Sequence, residues 1–140
     1  MEKTLAIIKP DGVQKNVIGN ILHRVEDSGL VILSIRMLQL DRKTAGRFYE
    51  VHSKRPFYQS LIEYMTSGPV VVVALEGTNA VNRWRQLIGA TDPSKAEKNT
   101  IRNKYGESVE RNTVHGSDSP ENGTIETAFF FNSSELKLKA

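Results

Sequence analysis

Val70-Val71-Val72-Val73-Ala74-Leu75 decides the fold. The run is apolar throughout, rich in β-branched residues, and bounded by Ser67-Gly68-Pro69 before it and Glu76-Gly77 after it. A short run with no polar alternation reads as a strand covered on both faces. The chain therefore needs helical layers on either side of a sheet, and the flanks supply them. Phe57 to Thr66 places Leu61, Ile62 and Met65 on one helical face, and Asn79 to Ile88 is a second helix that Gly89 stops.

Toward the N-terminus, Leu5-Ala6-Ile7-Ile8 is a buried strand that must end at Lys9. Pro10 lacks an N–H and disfavours helix in the residue before it. Asp11-Gly12 predicts a turn, and a helix from Val17 with Ile18, Ile21, Leu22 and Val25 on one face closes at Ser28-Gly29. Val31 to Leu40 reads as a second strand. Asp41 then caps a helix in which Ala45, Phe48, Tyr49 and His52 share a face, and Pro56 interrupts it. Toward the C-terminus, Gly89 to Arg111 is polar and short of core residues. It predicts an ordered functional loop or disorder, with a short helix closing at Tyr105-Gly106. Thr127 to Phe131 reads as the last strand, and 132–140 as a surface appendage.

Strands separated by helices, without repeats or linkers, give one α+β domain over residues 1–140. The best-fitting arrangement is a ferredoxin-like split βαβ sandwich, a four-stranded antiparallel sheet covered by helices.

Composition removes whole classes of function. Hydrophobic residues make up 39% and charged residues 25%, a globular balance. No apolar run is long enough to span a bilayer, and the N-terminus leads straight into a strand, so a cytoplasmic protein without membrane contact is expected. The absence of cysteine excludes disulfides, thiolate nucleophiles and Cys-based zinc sites. A net charge of +3 suits anionic small molecules, and the Lys and Arg residues are scattered rather than gathered in one tract. Nucleic acid is at most a secondary partner.

Asn112-Thr113-Val114-His115-Gly116-Ser117-Asp118-Ser119 has no periodicity that would draw it into a core face. Such a segment can offer a free imidazole nitrogen to a ligand, or simply be a polar turn with a surface histidine. There is no GxxxxGK[ST] loop, GxGxxG fingerprint, HExxH pair or EF-hand loop. A phosphate ligand would have to be held by side chains, with Lys9, Arg85, Arg102 and Thr91 as candidates. Each also has an ordinary reading. Lys9 can be a solvated strand end, Arg85 an exposed helix residue and Arg102 a loop cation, and Phe57 after Pro56 can be a core anchor.

Taken with the other motifs, Asn112 to Ser119 resembles the active-site histidine signature of the nucleoside diphosphate kinase family. Ile8-Lys9-Pro10-Asp11-Gly12, Arg55-Pro56-Phe57, Thr66-Ser67-Gly68-Pro69-Val70 and Leu87-Ile88-Gly89-Ala90-Thr91-Asp92-Pro93 resemble family segments in the same order. With Gly19, Glu76-Gly77, Thr100-Ile101-Arg102 and Tyr105, the resemblance covers nearly the whole chain.

The resemblance implies transfer of the terminal phosphate of a nucleoside triphosphate to a nucleoside diphosphate by a ping-pong route through a phosphohistidine at His115. Imidazole suits the task, because its ordinary pKa of about 6.5 leaves a neutral nucleophile near pH 7. By position, Arg85, Thr91 and Arg102 would hold phosphate oxygens, and Mg²⁺ would ride on the nucleotide phosphates without direct protein ligands. Lys9 and Asn112 would meet the ribose hydroxyls, Tyr49 would line the site beside Lys9, and His52 would touch phosphate. Phe57 would stack on the base, which predicts broad base specificity. Ser117 and Glu126 would stand behind His115, and Gly116 would let the backbone turn beside the ring. A homo-oligomer built from dimers, tetrameric or hexameric, is implied as well.

Two departures from the family pattern carry expectations. Pro120-Glu121-Asn122-Gly123-Thr124 contains a glycine that should cost a helix about 1 kcal/mol against alanine, so this stretch is expected to be irregular and Glu126 loosely placed. Asn99 stands before Thr100 where many relatives have glycine, and asparagine is the next-best residue for a left-handed backbone. Two readings from other classes compete with the enzyme: a nucleic-acid-binding or regulatory scaffold on the same fold, and a nucleotide-binding module without turnover.

Overall fold

Alternate residues of the central strand enter two different cores. Val70, Val72 and Ala74 pack with Leu5 and Ile7 on one side of the sheet. Val71, Val73 and Leu75 pack with Ala6 and Ile8 on the other. The structure is a computed structural model that describes residues 1–137. Its strands are β1 (Glu2–Ile8), β2 (Val31–Leu38), β3 (Val70–Gly77) and β4 (Val114–His115), in the order β2-β3-β1-β4. All pairings are antiparallel, as in the ferredoxin-like arrangement expected.

The helices are α1 (Pro10–Gln14), α2 (Ile18–Asp27), α3 (Arg42–Phe48), α4 (Tyr58–Met65), α5 (Ala80–Ile88), α6 (Ile101–Tyr105) and α7 (Pro120–Phe130). Ala45 of α3, Ile62 and Met65 of α4 and Phe130 of α7 cover the first face. Ile21 and Val25 of α2, Trp84 and Ile88 of α5 and Ile101 of α6 cover the second. Asp41 caps α3 as anticipated, accepting from the Thr44 N–H at 2.7 Å. Asn99 takes φ +74°, the left-handed conformation foreseen for it.

The sequence reading fails at the C-terminal end. Thr127 to Phe130 is the last turn of α7, not a strand, and the fourth strand is the two-residue β4. A short apolar run cannot be told from a buried helix segment by periodicity. The deciding signals lay upstream: Pro120 occupies the first helical position, and the Ser119 hydroxyl accepts from the Asn122 N–H at 3.1 Å. Nor is α7 irregular. It runs unbroken through Gly123, because the glycine lets the helix lie directly on β1. A Cβ at that position would overlap the carbonyl oxygen of Lys3.

Two smaller corrections belong here. Asp11-Gly12 is part of α1 rather than a bare turn, with Pro10 again at a first helical position. The segment after α7 is tied back to the fold: Glu135 meets Arg36 at 2.8 Å and Leu136 packs against the first core. Residues 138–140 of the expected appendage lie outside the described residues.

Candidate active site

β4 is short because its job is to hold one residue. It pairs only with the end of β1, Ile7 opposite His115 and Ile8 opposite Val114. The His115 carbonyl accepts from the Trp84 indole N–H at 3.0 Å, and the Val114 carbonyl accepts from Arg102 Nη2 at 2.8 Å. Phe48 meets the imidazole edge-on, with ring centroids 5.6 Å apart. Gly116 is needed for close approach rather than for a turn, since a Cβ there would stand 2.8 Å from Trp84 Cδ1.

The imidazole Nε2 lies 2.8 Å from Glu126 Oε1, with both side chains about one-fifth exposed. A carboxylate only accepts, so in the neutral ring Nε2 carries the proton and Nδ1 keeps its lone pair. The Ser117 hydroxyl donates to the same Glu126 oxygen at 2.7 Å and accepts from the Leu5 N–H at 3.0 Å. Glu126 reaches this position because α7 is seated on β1 at Gly123, one turn earlier. Loose placement of Glu126 is thereby overturned.

The cations gather beside this pair. Lys9, at the end of β1, is 8% exposed and donates from Nζ to Asn112 Oδ1 at 2.8 Å. The Asn112 amide donates in turn to the Thr91 carbonyl at 3.0 Å, so three of the candidate residues form one bonded chain. Burial, with the Arg102 charge adding to it, pulls the Lys9 ammonium down to about 8. Arg102 is also buried; its Nη1 donates to the Gly89 carbonyl at 3.0 Å, and burial and the nearby Arg85 hold it below its ordinary value. A groove of about 420 Å³ is lined by Arg85, Thr91, Lys95 and Arg102 together with Gly89 and Thr100. His115, Lys9 and Asn112 do not line it. The groove connects to the histidine segment through Arg102, whose Nη2 bonds the Val114 carbonyl.

From Phe48, beside the imidazole, runs a chain of rings. Phe48 meets Tyr49 edge-on at 4.9 Å, Tyr49 stacks toward His52 at 6.4 Å, and His52 lies 5.7 Å from Phe57. Phe57 is 46% exposed, which removes the core-anchor reading. Tyr49 is buried, and no hydrogen bond among the described residues ties it to Lys9. Its hydroxyl is shut from solvent without a hydrogen-bond partner among the described residues, and burial with the nearby Glu126 charge pushes the phenol far above its ordinary value.

Known proteins resemble this chain over nearly its whole length. The family model described as nucleoside diphosphate kinase matches residues 2–136. The chain belongs to the nucleoside diphosphate kinase family. It is 57% identical to the nucleoside diphosphate kinase of Nitratiruptor sp. over 97% of this chain and 99% of that protein. With the enzyme of Dechloromonas aromatica the identity is 54%, covering 94% and 92% of the two chains. The crystal structure of the Aquifex aeolicus enzyme superposes with a TM-score of 0.94 at 43% identity, covering 97% of this chain and 99% of that one. The Halobacterium salinarum enzyme, solved in complex with CDP, gives 0.94 at 38% identity over 99% and 93%.

Nucleotide kinases of this family generally work with a divalent cation. Among the described residues no three His, Asp or Glu side chains come together as a metal site. The groove is lined by Arg85, Lys95, Arg102 and Thr91 with one carboxylate, Glu97, a set whose chemistry suits phosphate oxygens rather than a bare cation and fits an ion carried in on the nucleotide. No helix among the described residues is long and apolar enough to cross a membrane.

Sequence reasoning missed several residues that build this kinase site. Phe48 was read only as part of a helix face, and Trp84 and Lys95 carried no motif signal. Asp11 and Thr113 stand in the quoted segments without an assigned role, and with Tyr64 they form a buried group under the histidine segment. Thr113 has φ +75° and no exposure. A β-branched residue in this region is a true outlier, costing about 1–3 kcal/mol that the surroundings must supply. Nothing in the sequence marks it.

Proposed function

We propose that this family member runs phosphoryl transfer as a ping-pong reaction through a phosphohistidine at His115. One observation carries the reading: the Nε2 bond to Glu126, which leaves the Nδ1 lone pair free to act as nucleophile. In the first half-reaction the Nδ1 lone pair forms a bond to the γ-phosphorus of a nucleoside triphosphate. The bond from that phosphorus to the β–γ bridging oxygen breaks, and the diphosphate leaves with the electron pair. In the second half-reaction a terminal β-phosphate oxygen of the acceptor diphosphate attacks the phosphorus, and the pair returns to Nδ1. No proton need move, so one site serves donor and acceptor alternately.

Arg85, Thr91 and Arg102 hold the phosphates, where peripheral oxygens carry most of the transition-state charge. Mg²⁺ brought in with the nucleotide that Arg85, Thr91 and Arg102 hold would supply further charge neutralisation. Lys9 and Asn112, already bonded to each other, turn toward the ribose hydroxyls. Phe57 offers an open ring face to the base, with His52 behind it toward phosphate and Tyr49 packing the wall. Stacking reads a π-face rather than base edges, so specificity is broad. Glu126 and Ser117 fix the ring.

The protein is cytoplasmic and assembles from dimers into a tetramer or hexamer. The exposed apolar residues Val31, Ile35 and Met37 on β2, a sheet edge, support association of copies. Light scattering coupled to chromatography reads the assembly.

The chemical test uses Mg²⁺ and γ-labelled ATP without acceptor. The expected result is an acid-labile, base-stable label on the protein that GDP removes and that is absent from H115A. No such label, or one that survives H115A, overturns the reading.

A further inference from the structure

The strain at Thr113 needs an anchor, and the structure provides one with no other evident task. Asp11, 2% exposed, accepts the Tyr64 hydroxyl on Oδ1 and the Thr113 hydroxyl on Oδ2, the latter at 3.2 Å. The Asp11 N–H donates back to the Tyr64 oxygen at 3.1 Å. Burial, with Asp11 beside it, pushes the Tyr64 phenol far above its ordinary value, so it stays a proton donor. Arg111 lies over the Tyr64 ring at 5.1 Å.

The neighbours of Asp11 grip the same residue. The Lys9 N–H donates to the Thr113 carbonyl at 2.8 Å. Gly12 lies so close beneath that a Cβ there would stand 3.0 Å from Thr113 Cγ2. Thr113 is thus held at its backbone oxygen, its hydroxyl and its methyl group by residues 9, 11 and 12. It is flanked by Asn112, which bonds Lys9, and by Val114, which pairs with β1 one residue before His115.

We propose that Asp11, held by Tyr64, is a positioning residue for phosphoryl transfer, locking Thr113 in the positive-φ γ-turn, closed by the Val114 N–H donating to the Asn112 carbonyl at 2.8 Å, that sets Asn112 and His115 in register with Lys9. This rests on the phosphohistidine reading above. Asp11 touches no reacting atom and acts through the backbone of the histidine segment. A misplacement of about 1 Å at a reacting group can cost on the order of 10²-fold in rate.

The test is a double-mutant cycle on the rate of phosphoenzyme formation at saturating Mg²⁺ and γ-labelled ATP, in wild type, D11A, T113G and D11A/T113G, with melting curves for each. Glycine adopts φ +75° without strain, so T113G removes the need for the anchor. The expected result is a loss of about 10²-fold for D11A relative to wild type, shrinking below about 10-fold when D11A is compared with its T113G parent. A wild-type rate in D11A overturns the proposal even if its melting temperature falls. An equal loss in both backgrounds overturns it too. If D11A does not fold, Y64F in the same two backgrounds takes its place, deleting a single hydroxyl, with the same two overturning outcomes. An unlabelled wild type would defeat the phosphohistidine reading instead.

Discussion

The two sides of the site are built to different standards. Around His115 nearly every polar group is engaged: Nε2 with Glu126, Glu126 with Ser117, Ser117 with Leu5, and the carbonyls of Val114 and His115 with Arg102 and Trp84. On the rim, Phe57, Arg85 and Thr91 expose their side chains to solvent. The difference is what the phosphohistidine mechanism proposed above asks for. The reacting nitrogen must already be aimed when substrate arrives, since reorganisation at that point would add to the barrier. The rim must stay open, because nucleotides enter and leave twice per cycle.

If that division is real, the bonded side should fail in rate and the rim in affinity. E126Q should give the largest loss. An amide in place of the carboxylate can donate to Nε2 and favour the tautomer in which Nδ1 carries the proton. By analogy with carboxylate–histidine pairs elsewhere, phosphoenzyme formation should fall on the order of 10³-fold at saturating ATP, with nucleotide affinity little changed. Rapid-quench labelling beside equilibrium ADP binding reads the two quantities separately. A tenfold weaker ADP affinity with an intact rate would place Glu126 on the wrong side of the comparison.

G123A attacks the same bond from a distance. Its Cβ would run into the Lys3 carbonyl oxygen, a backbone atom that cannot swing aside, so α7 must lift from β1 and carry Glu126 with it. Overpacking of this kind costs about 1–3 kcal/mol of stability. The rate of labelling should fall by about 10²-fold in protein that remains folded. Helix propensity alone predicts the opposite, a gain of about 1 kcal/mol from replacing glycine. Chemical denaturation therefore decides which effect governs.

Gly123 also shows where sequence reasoning stopped. Residue type and spacing were enough for the two-faced sheet, because Val70 to Leu75 admits no exposed face, whereas the roles of the motif residues rest on the family resemblance. Distance in three dimensions was not legible. A glycine that permits helix-on-strand contact looks the same in sequence as one that breaks a helix. β4 was hidden because its two residues follow Asn112 and Thr113, which carry no strand pattern. Thr113 in particular adopts a conformation against its own preference, and only Lys9, Asp11 and Gly12, some hundred positions earlier, explain it.

Lys9 stands between the two sides, buried like the histidine segment yet proposed to touch ligand, and pH separates its two aspects. Its ammonium is held near 8 rather than at the ordinary 10.5, by burial first and by Arg102 second, while Asp11 and Glu110 pull the other way. Below pH 8 both folded and unfolded chains carry the proton, and the folded state bears the whole cost of the buried charge. Between about 8 and 10.5 the folded protein gives up the proton while the unfolded chain keeps it, so this group makes stability rise with pH, by about 3 kcal/mol at most. Activity should move the other way: kcat/KM, which reports the free enzyme, should fall about fivefold from pH 8 to pH 9 and about tenfold per pH unit beyond. K9M should lack the rise in stability. A wild-type kcat/KM flat to pH 9.5 would remove the charge of Lys9 from nucleotide capture.

The smallest effect belongs to the most exposed member. Phe57 is 46% exposed and makes its ring contact with His52 at 5.7 Å, so F57A should change stability by no more than about 0.5 kcal/mol. Base stacking on an aromatic ring is worth about 1–3 kcal/mol, and the low end applies to a ring this open to water. KM for the acceptor diphosphate should rise about fivefold, with kcat nearly unchanged, since the base is remote from the transferring phosphorus. The increase should be the same for ADP, GDP and CDP, because a ring that offers only its face cannot tell their edges apart. Unequal increases among the three would mean that Phe57 shapes a selective base pocket, and the open rim would then be a specificity device rather than a landing surface.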